Sequence, residues 1–208
     1  CKFFEKNLGF SINEITAILI IFFMKKTNSH VLNYFANIDR LSSNINKDQI
    51  ENLATTIAKI RNNKGRLFFL GVGGSAGNCS HAVNDFRKIC EIECYAATDN
   101  VSELTARIND DGWESVFANW LMISNLNSKD AIFIMSVGGG NRQKNVSVNL
   151  IKAIQFAKKK GAKVLGIVGR DGGYTKKAGD NIILIPTINK KLVTPYCESF
   201  HSVIWHCL

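Results

Sequence analysis

The feature that most constrains this chain is a regular alternation, from residue 67 onward, of short apolar runs with longer amphipathic segments. The runs cover residues 67–70, 92–97, 131–135, 164–168 and 182–185. They are too short for buried helices and are bounded by glycine and polar residues, which marks strands. They are apolar throughout instead of alternating in and out, so the strands are buried on both faces. That requires a parallel sheet with helices on each side. Helices are predicted over 76–89, as a pair within 102–124, over 147–160, briefly near Thr175, and from Pro195 onward. The fold class is three-layer, doubly wound α/β with a five-stranded parallel sheet.

Ahead of the sheet, Val31, Leu32, Phe35, Ile38 and Leu41, then Ile50, Leu53, Ile57 and Ile60, recur at helical spacing around a polar break at 42–47. Two helices follow, forming a helical N-terminal arm over 29–64. Asn46 or Lys47 opens the second, and Asn63-Lys64-Gly65 stops it. A chain of 208 residues, 46% apolar, suits one such domain and is too short for two. Residues 1–28 are expected to be a non-native or disordered extension. The apolar stretch at 15–23 is too short to span a bilayer, and Met24-Lys25-Lys26 stands where a signal peptide would place small residues. Met24 is the expected natural start. Leu208 interrupts an apolar helical pattern, as a truncated C-terminus would.

The formal net charge of +9 comes from basic residues spread along the chain, without a recognition-helix or RNA-stacking signature. The lysine run at 158–160 falls at a predicted helix C-terminus, where cations complement the dipole. No nucleic-acid partner and no membrane is expected. Six cysteines without a paired C-x-x-C spacing read as reduced core residues of a cytoplasmic protein.

In doubly wound folds, ligands bind beyond the carboxyl ends of the strands, so the residues after each strand carry the functional reading. Gly71-Val72-Gly73-Gly74-Ser75 can cradle an anion with backbone amides at a helix N-terminus, or can be a tight turn and nothing more. It lacks the ending of a nucleoside-triphosphate loop and the spacing of a dinucleotide fingerprint, so no nucleotide cofactor is expected. Ser136-Val137-Gly138-Gly139-Gly140-Asn141 is a second such turn, leading to Ser147, which is placed to cap the next helix. Gly169-Arg170-Asp171-Gly172-Gly173 is a flexible turn whose Arg170 could touch an anion, and it reads more simply as a surface turn.

His81 and Asp85 share one face of the helix that follows the first turn, a spacing that two metal ligands or a plain surface pair can use. Glu198, His201 and His206 lie on the apolar last helix, where polar groups need a reason. Glu198 and His206 are about 12 Å apart along the axis. They either converge on one ion from both ends or have a second helix between them.

These residues resemble the SIS (sugar isomerase) domain of phosphoheptose isomerases, from about Asn33 to the end of the chain. The likeness is carried by Gly73-Gly74-Ser75 with His81 and Asp85 downstream, by 102–112 with Asn109-Asp110, by the Ser136 turn leading to Ser147, and by Glu198, His201 and His206. It implies aldose-ketose isomerisation of sedoheptulose 7-phosphate to a heptose 7-phosphate, for surface-glycan heptose, with Asp85 and His206 catalytic. Gly73, Gly74, Ser75, Asp110, Ser136, Gly138, Ser147 and Glu198 would hold the sugar phosphate. Zinc, which some members bind, would sit on His81, Asp85, Glu198 and His206, and the family's tetramers imply a homotetramer with sites shared between subunits. The chain departs from the family pattern at Asp85, usually Glu, at Glu198, usually Gln, and in both phosphate loops. Val72 replaces an Asn, Val137-Gly138 replaces hydroxyl residues, and the second loop is longer. A phosphosugar-binding SIS protein without chemistry, or an isomerase of a different phosphosugar, is the alternative.

Overall fold

The computed structural model describes residues 29–208, together with Asn13, Glu14, Thr16 and Ala17, which are helical. The extension expected over 1–28, including the proposed start at Met24, otherwise lies outside the described residues. The chain divides into two compact units between Ser43 and Asn44. Of the first, α1 (His30–Asn44) carries Val31, Leu32 and Phe35 exposed. The second unit begins with α2 (Lys47–Asn62), so the arm expected over 29–64 is divided between the two. Asn46 opens α2 by accepting a hydrogen bond from the Gln49 amide at 3.0 Å.

The second unit contains β1 (Leu67–Leu70), β2 (Cys94–Ala96), β3 (Ala131–Ser136), β4 (Lys163–Val168) and β5 (Asn181–Leu184). All pairs are parallel, in the order β2-β1-β3-β4-β5. Every residue of β1 and β3 is buried, as continuous apolar runs require when helices cover both faces. On one face Phe68, Leu70, Ile132, Ile134 and Val164 pack with Phe117 and Leu121 of α5 (Val116–Ile123) and with Leu150 and Ile154 of α6 (Val148–Lys159). On the other, Phe69 stacks on Phe133 at 4.9 Å and meets Phe86 edge-on at 5.5 Å. Phe86 belongs to α3 (Gly74–Lys88), which packs against α8 (Val193–Cys207). Burying each such side chain contributes about 1.5–3 kcal/mol. The two other helices are α4 (Val101–Asp111) and α7 (Gly173–Ala178).

Two boundaries differ from expectation. β2 is shorter than 92–97 because it is an edge strand: Tyr95 is exposed, and the Ile92 amide closes the end of α3 by bonding Phe86 O at 3.1 Å instead of joining the ladder. α8 starts two residues before Pro195, whose missing N–H costs nothing in a first turn.

The amino end of the sheet is closed by an ion pair. Asp130, 2% exposed, accepts from Arg66 N at 2.9 Å, Nε at 3.2 Å and Nη2 at 2.8 Å, and from the Asn127 amide at 3.0 Å. At the carboxyl end the connections from β1 and β3 run to opposite sides, which opens a crevice between them.

Candidate active site

That crevice is a cleft of about 980 Å³. On its β1 side Gly73, at φ 63°, turns the chain into α3, and no side chain caps the helix, so its first amides are left for a ligand. Ser75 lines the cleft although only 2% exposed. Gly74 has a definite reason to lack a side chain. A Cβ there would lie 2.5 Å from Glu198 Oε2, so the carboxylate carried by α8 seats directly against the start of α3.

On the β3 side, Ser136 Oγ accepts from the Gly139 amide at 3.0 Å. The turn is locked to the one after β4: the amides of Tyr174 and Thr175 each donate at 2.9 Å, to Gly140 O and Gly139 O, and Thr175 Oγ1 donates to Gly139 O at 2.8 Å. A side chain at Gly139 or Gly173 would run into the opposite turn's backbone. This interlock carries Arg170, itself in the left-handed region at φ 52°, over Gly138 and into the cleft lining. Residues 141–146 form a small closed loop, with Asn141 and Val146 exchanging backbone bonds at 2.8 and 2.9 Å, and place Lys144 on the cleft.

Ser147 does not cap α6 as expected. A cap needs extended backbone, and Ser147 is left-handed at φ 50°, ψ 44°, with no side-chain bond to the helix amides. Ser147 lines the cleft instead. Lys144, Arg170 and Lys190 line the cleft, and among the described residues none of them has an ion pair. Thr187 and Thr194 add hydroxyls. Sequence reasoning set Arg170 aside as a surface turn and passed over Lys144, Lys190, Thr187 and Thr194. The lengthened loop before Ser147 was the one available signal, for Lys144.

His81 and residues expected to act as acid and base form a second group. His81, Asp85 and His206 each offer a donor atom within 4.8 Å of the others. Asp85 Oδ2 lies 3.8 Å from His81 Nε2 and 3.8 Å from His206 Nε2. His206 Nδ1 sits 2.7 Å from the Ser202 carbonyl, which can only accept, so Nδ1 carries a proton and Nε2 is the nitrogen directed toward Asp85. Two imidazoles and a carboxylate with one imidazole pre-oriented through its far nitrogen fit a zinc ion. Glu198, the fourth expected ligand, is outside this group and in the cleft. Asp110, expected near the substrate, is exposed on the last turn of α4, accepts from Asn109 Nδ2 at 2.8 Å, and is not on the cleft lining.

His201 and Cys197 lie buried behind the site, 3.5 Å apart. Burial pushes the His201 imidazole down to about 4 and the Cys197 thiol up to about 12, so both are neutral at pH 7.

A doubly wound sheet with two glycine- and serine-rich turns at its switch point, and an acid-base cluster on the adjoining helices, defines the SIS class of sugar-phosphate domains. Residues 33–169 match the SIS domain family. A phosphoheptose isomerase of Helicobacter pylori is 31% identical over 151 residues, 70% of this chain and 73% of that one. The lincomycin biosynthesis protein LmbN of Streptomyces lincolnensis is 30% identical over 190 residues, 86% of this chain and 67% of its own. The structure of phosphoheptose isomerase from Neisseria gonorrhoeae superposes with a TM-score of 0.72 at 25% identity, over 85% of this chain and 94% of that one. The chain belongs to the SIS-domain phosphoheptose isomerase family. No described helix is long and apolar enough to cross a membrane.

Proposed function

We propose that the protein is a sugar-phosphate isomerase that interconverts sedoheptulose 7-phosphate and a heptose 7-phosphate. The observation that carries this is the separation of two adjoining groups. Ser75 and His81 are six residues apart on α3, about 9 Å along its axis. In a ketoheptose phosphate the phosphate and the C2 carbonyl sit at opposite ends of the carbon chain, so one molecule reaches from the cleft to the cluster. The phosphate is held by Ser75, Ser136, Ser147 and the amides of the glycine turns at Gly73, Gly74 and Gly138. Arg170 and the two lysines add charge, and Glu198 binds sugar hydroxyls.

The reaction needs no oxidant. Asp85 removes a proton from C1, and a water, which recovers its proton through His206 in the next step, protonates the C2 carbonyl oxygen, giving the enediol. His206 then takes the proton from the C1 hydroxyl, and Asp85 returns one to C2, which leaves an aldehyde at C1. His81, Asp85 and His206 would hold a zinc ion, which would supply a Lewis acid to polarise the carbonyl. His81 and His206 are more than half exposed, beside exposed Val203 and Ile89. Catalytic groups need a drier setting, which supports a homotetramer in which a second subunit covers the cluster. Cys79, Cys94 and Cys197, buried and unpaired, suit a reducing cytoplasm, and heptose for surface glycans is the corresponding pathway.

The test is conversion of sedoheptulose 7-phosphate by the full chain, followed by NMR with and without zinc, alongside Asp85→Asn and His206→Ala. Turnover lost in both folded variants is the expected result. Phosphosugar binding without turnover in the wild-type protein would replace this reading with the non-catalytic one, and light scattering at monomer mass would remove the shared site.

A further inference from the structure

Asn78 occupies the joint between α3 and α8, and its amide uses its full bonding capacity there. Nδ2 donates to Gly74 O and to Glu198 O, each at 3.2 Å. Oδ1 accepts from Ser202 Oγ at 2.8 Å and from Trp205 Nε1 at 3.2 Å. The indole N–H can only donate, so it fixes which way the amide faces. One side chain therefore ties the start of α3 to three turns of α8.

Both aromatic neighbours of the Trp205 ring are histidines of the cluster. Its indole stacks on His206, with centroids 3.6 Å apart and planes at 25°, and meets His81 edge-on at 4.7 Å. Trp205 is 2% exposed, so the ring has little freedom once its N–H is held. Ser202, the other partner of Oδ1, is also the residue whose carbonyl holds His206 Nδ1. Asn78 thus reaches His206 by two routes, through the ring beneath it and through the backbone that sets its tautomer.

We infer that Asn78 is the positioning residue of the His81–Asp85–His206 cluster, fixing the orientation and tautomer of His206 through Trp205 and Ser202. Its effect on turnover rests on the isomerase reading; its effect on the imidazoles does not. The experiment is a nitrogen-15 correlation spectrum of the histidine rings at neutral pH for wild type, Asn78→Ala and Asn78→Asp, with turnover on sedoheptulose 7-phosphate alongside. Wild-type His206 is expected to show the Nδ1–H tautomer. In Asn78→Ala it shifts toward the mixture of a free imidazole, and kcat falls about tenfold or more, with KM held within about twofold. Asn78→Asp keeps an acceptor for Ser202 and Trp205 but turns an oxygen on the Gly74 and Glu198 carbonyls, so it is expected to hold the tautomer better than Ala while loosening the joint. Trp205→Phe, which keeps an aromatic ring and removes the N–H together with the pyrrole half of the indole, must shift His206 in the same direction; it carries the test should Asn78→Ala unfold. Unchanged His206 signals in a folded Asn78→Ala or in Trp205→Phe would overturn the inference. A wild-type enzyme with the expected tautomer and no turnover would remove the isomerase reading alone.

Discussion

The two ends of the sheet treat charge in opposite ways. At the amino end Asp130 is buried and receives four donors, three of them from Arg66, so that nothing is left over for a ligand. At the carboxyl end Lys144, Arg170 and Lys190 surround the cleft without ion pairs among the described residues, and Ser147 leaves its hydroxyl uncommitted. Satisfied polar groups rigidify a fold, whereas unsatisfied ones beside a cavity are free to recognise something else. The contrast separates residues that hold the sheet from residues that use it.

Substitutions at each end test that separation. The largest effect is expected beside the cleft. Asp85→Asn should lower kcat by about 10²–10⁴-fold with the melting temperature little changed, read by steady-state kinetics and calorimetry. Asp130→Ala should do the reverse at the other end. It leaves the Arg66 guanidinium with only the Ser124 and Asn125 carbonyls and should cost about 3 kcal/mol of stability in urea unfolding, while the folded fraction keeps its KM. Arg170→Ala should raise KM for the sugar phosphate about tenfold at low salt, a loss near 1.4 kcal/mol, with a smaller difference as salt rises. Equal KM values at all salt concentrations would show that Arg170 contributes nothing to phosphate binding.

A pH-dependent effect concerns His201, between the cleft and the core. Its folded pKa, about 4, lies below the unfolded value of 6.5, so the unfolded chain takes up the proton first. The stability associated with this residue is fully present above about pH 6.5 and is lost as pH falls toward 4. Between pH 7.5 and 5 the wild-type protein should lose about 2 kcal/mol that a His201→Asn variant does not lose, measured by urea unfolding at both values.

Local pattern alone determined much of this protein. Runs such as 67–70 and 131–135 are apolar on both faces and can only be strands inside a covered parallel sheet, and they appear where expected. The i,i+4 spacing of His81 and Asp85 survives because a helix converts it directly into proximity. The Gly73-Gly74-Ser75 turn was legible for the same reason, since backbone freedom at a strand-to-helix junction is a local property. What only the tertiary structure decided involves residues that meet through separate elements. His206 joins His81 and Asp85 because α8 lies against α3, whereas Glu198, two turns earlier on α8, faces the cleft, where Gly74 leaves room for it. Arg170 reaches the cleft because two glycine turns interlock, and Ser147 cannot cap because its backbone is left-handed. Periodicity specifies which face of an element is buried. The angle at which two faces meet, and so which polar groups converge, is set by side-chain packing across the whole fold.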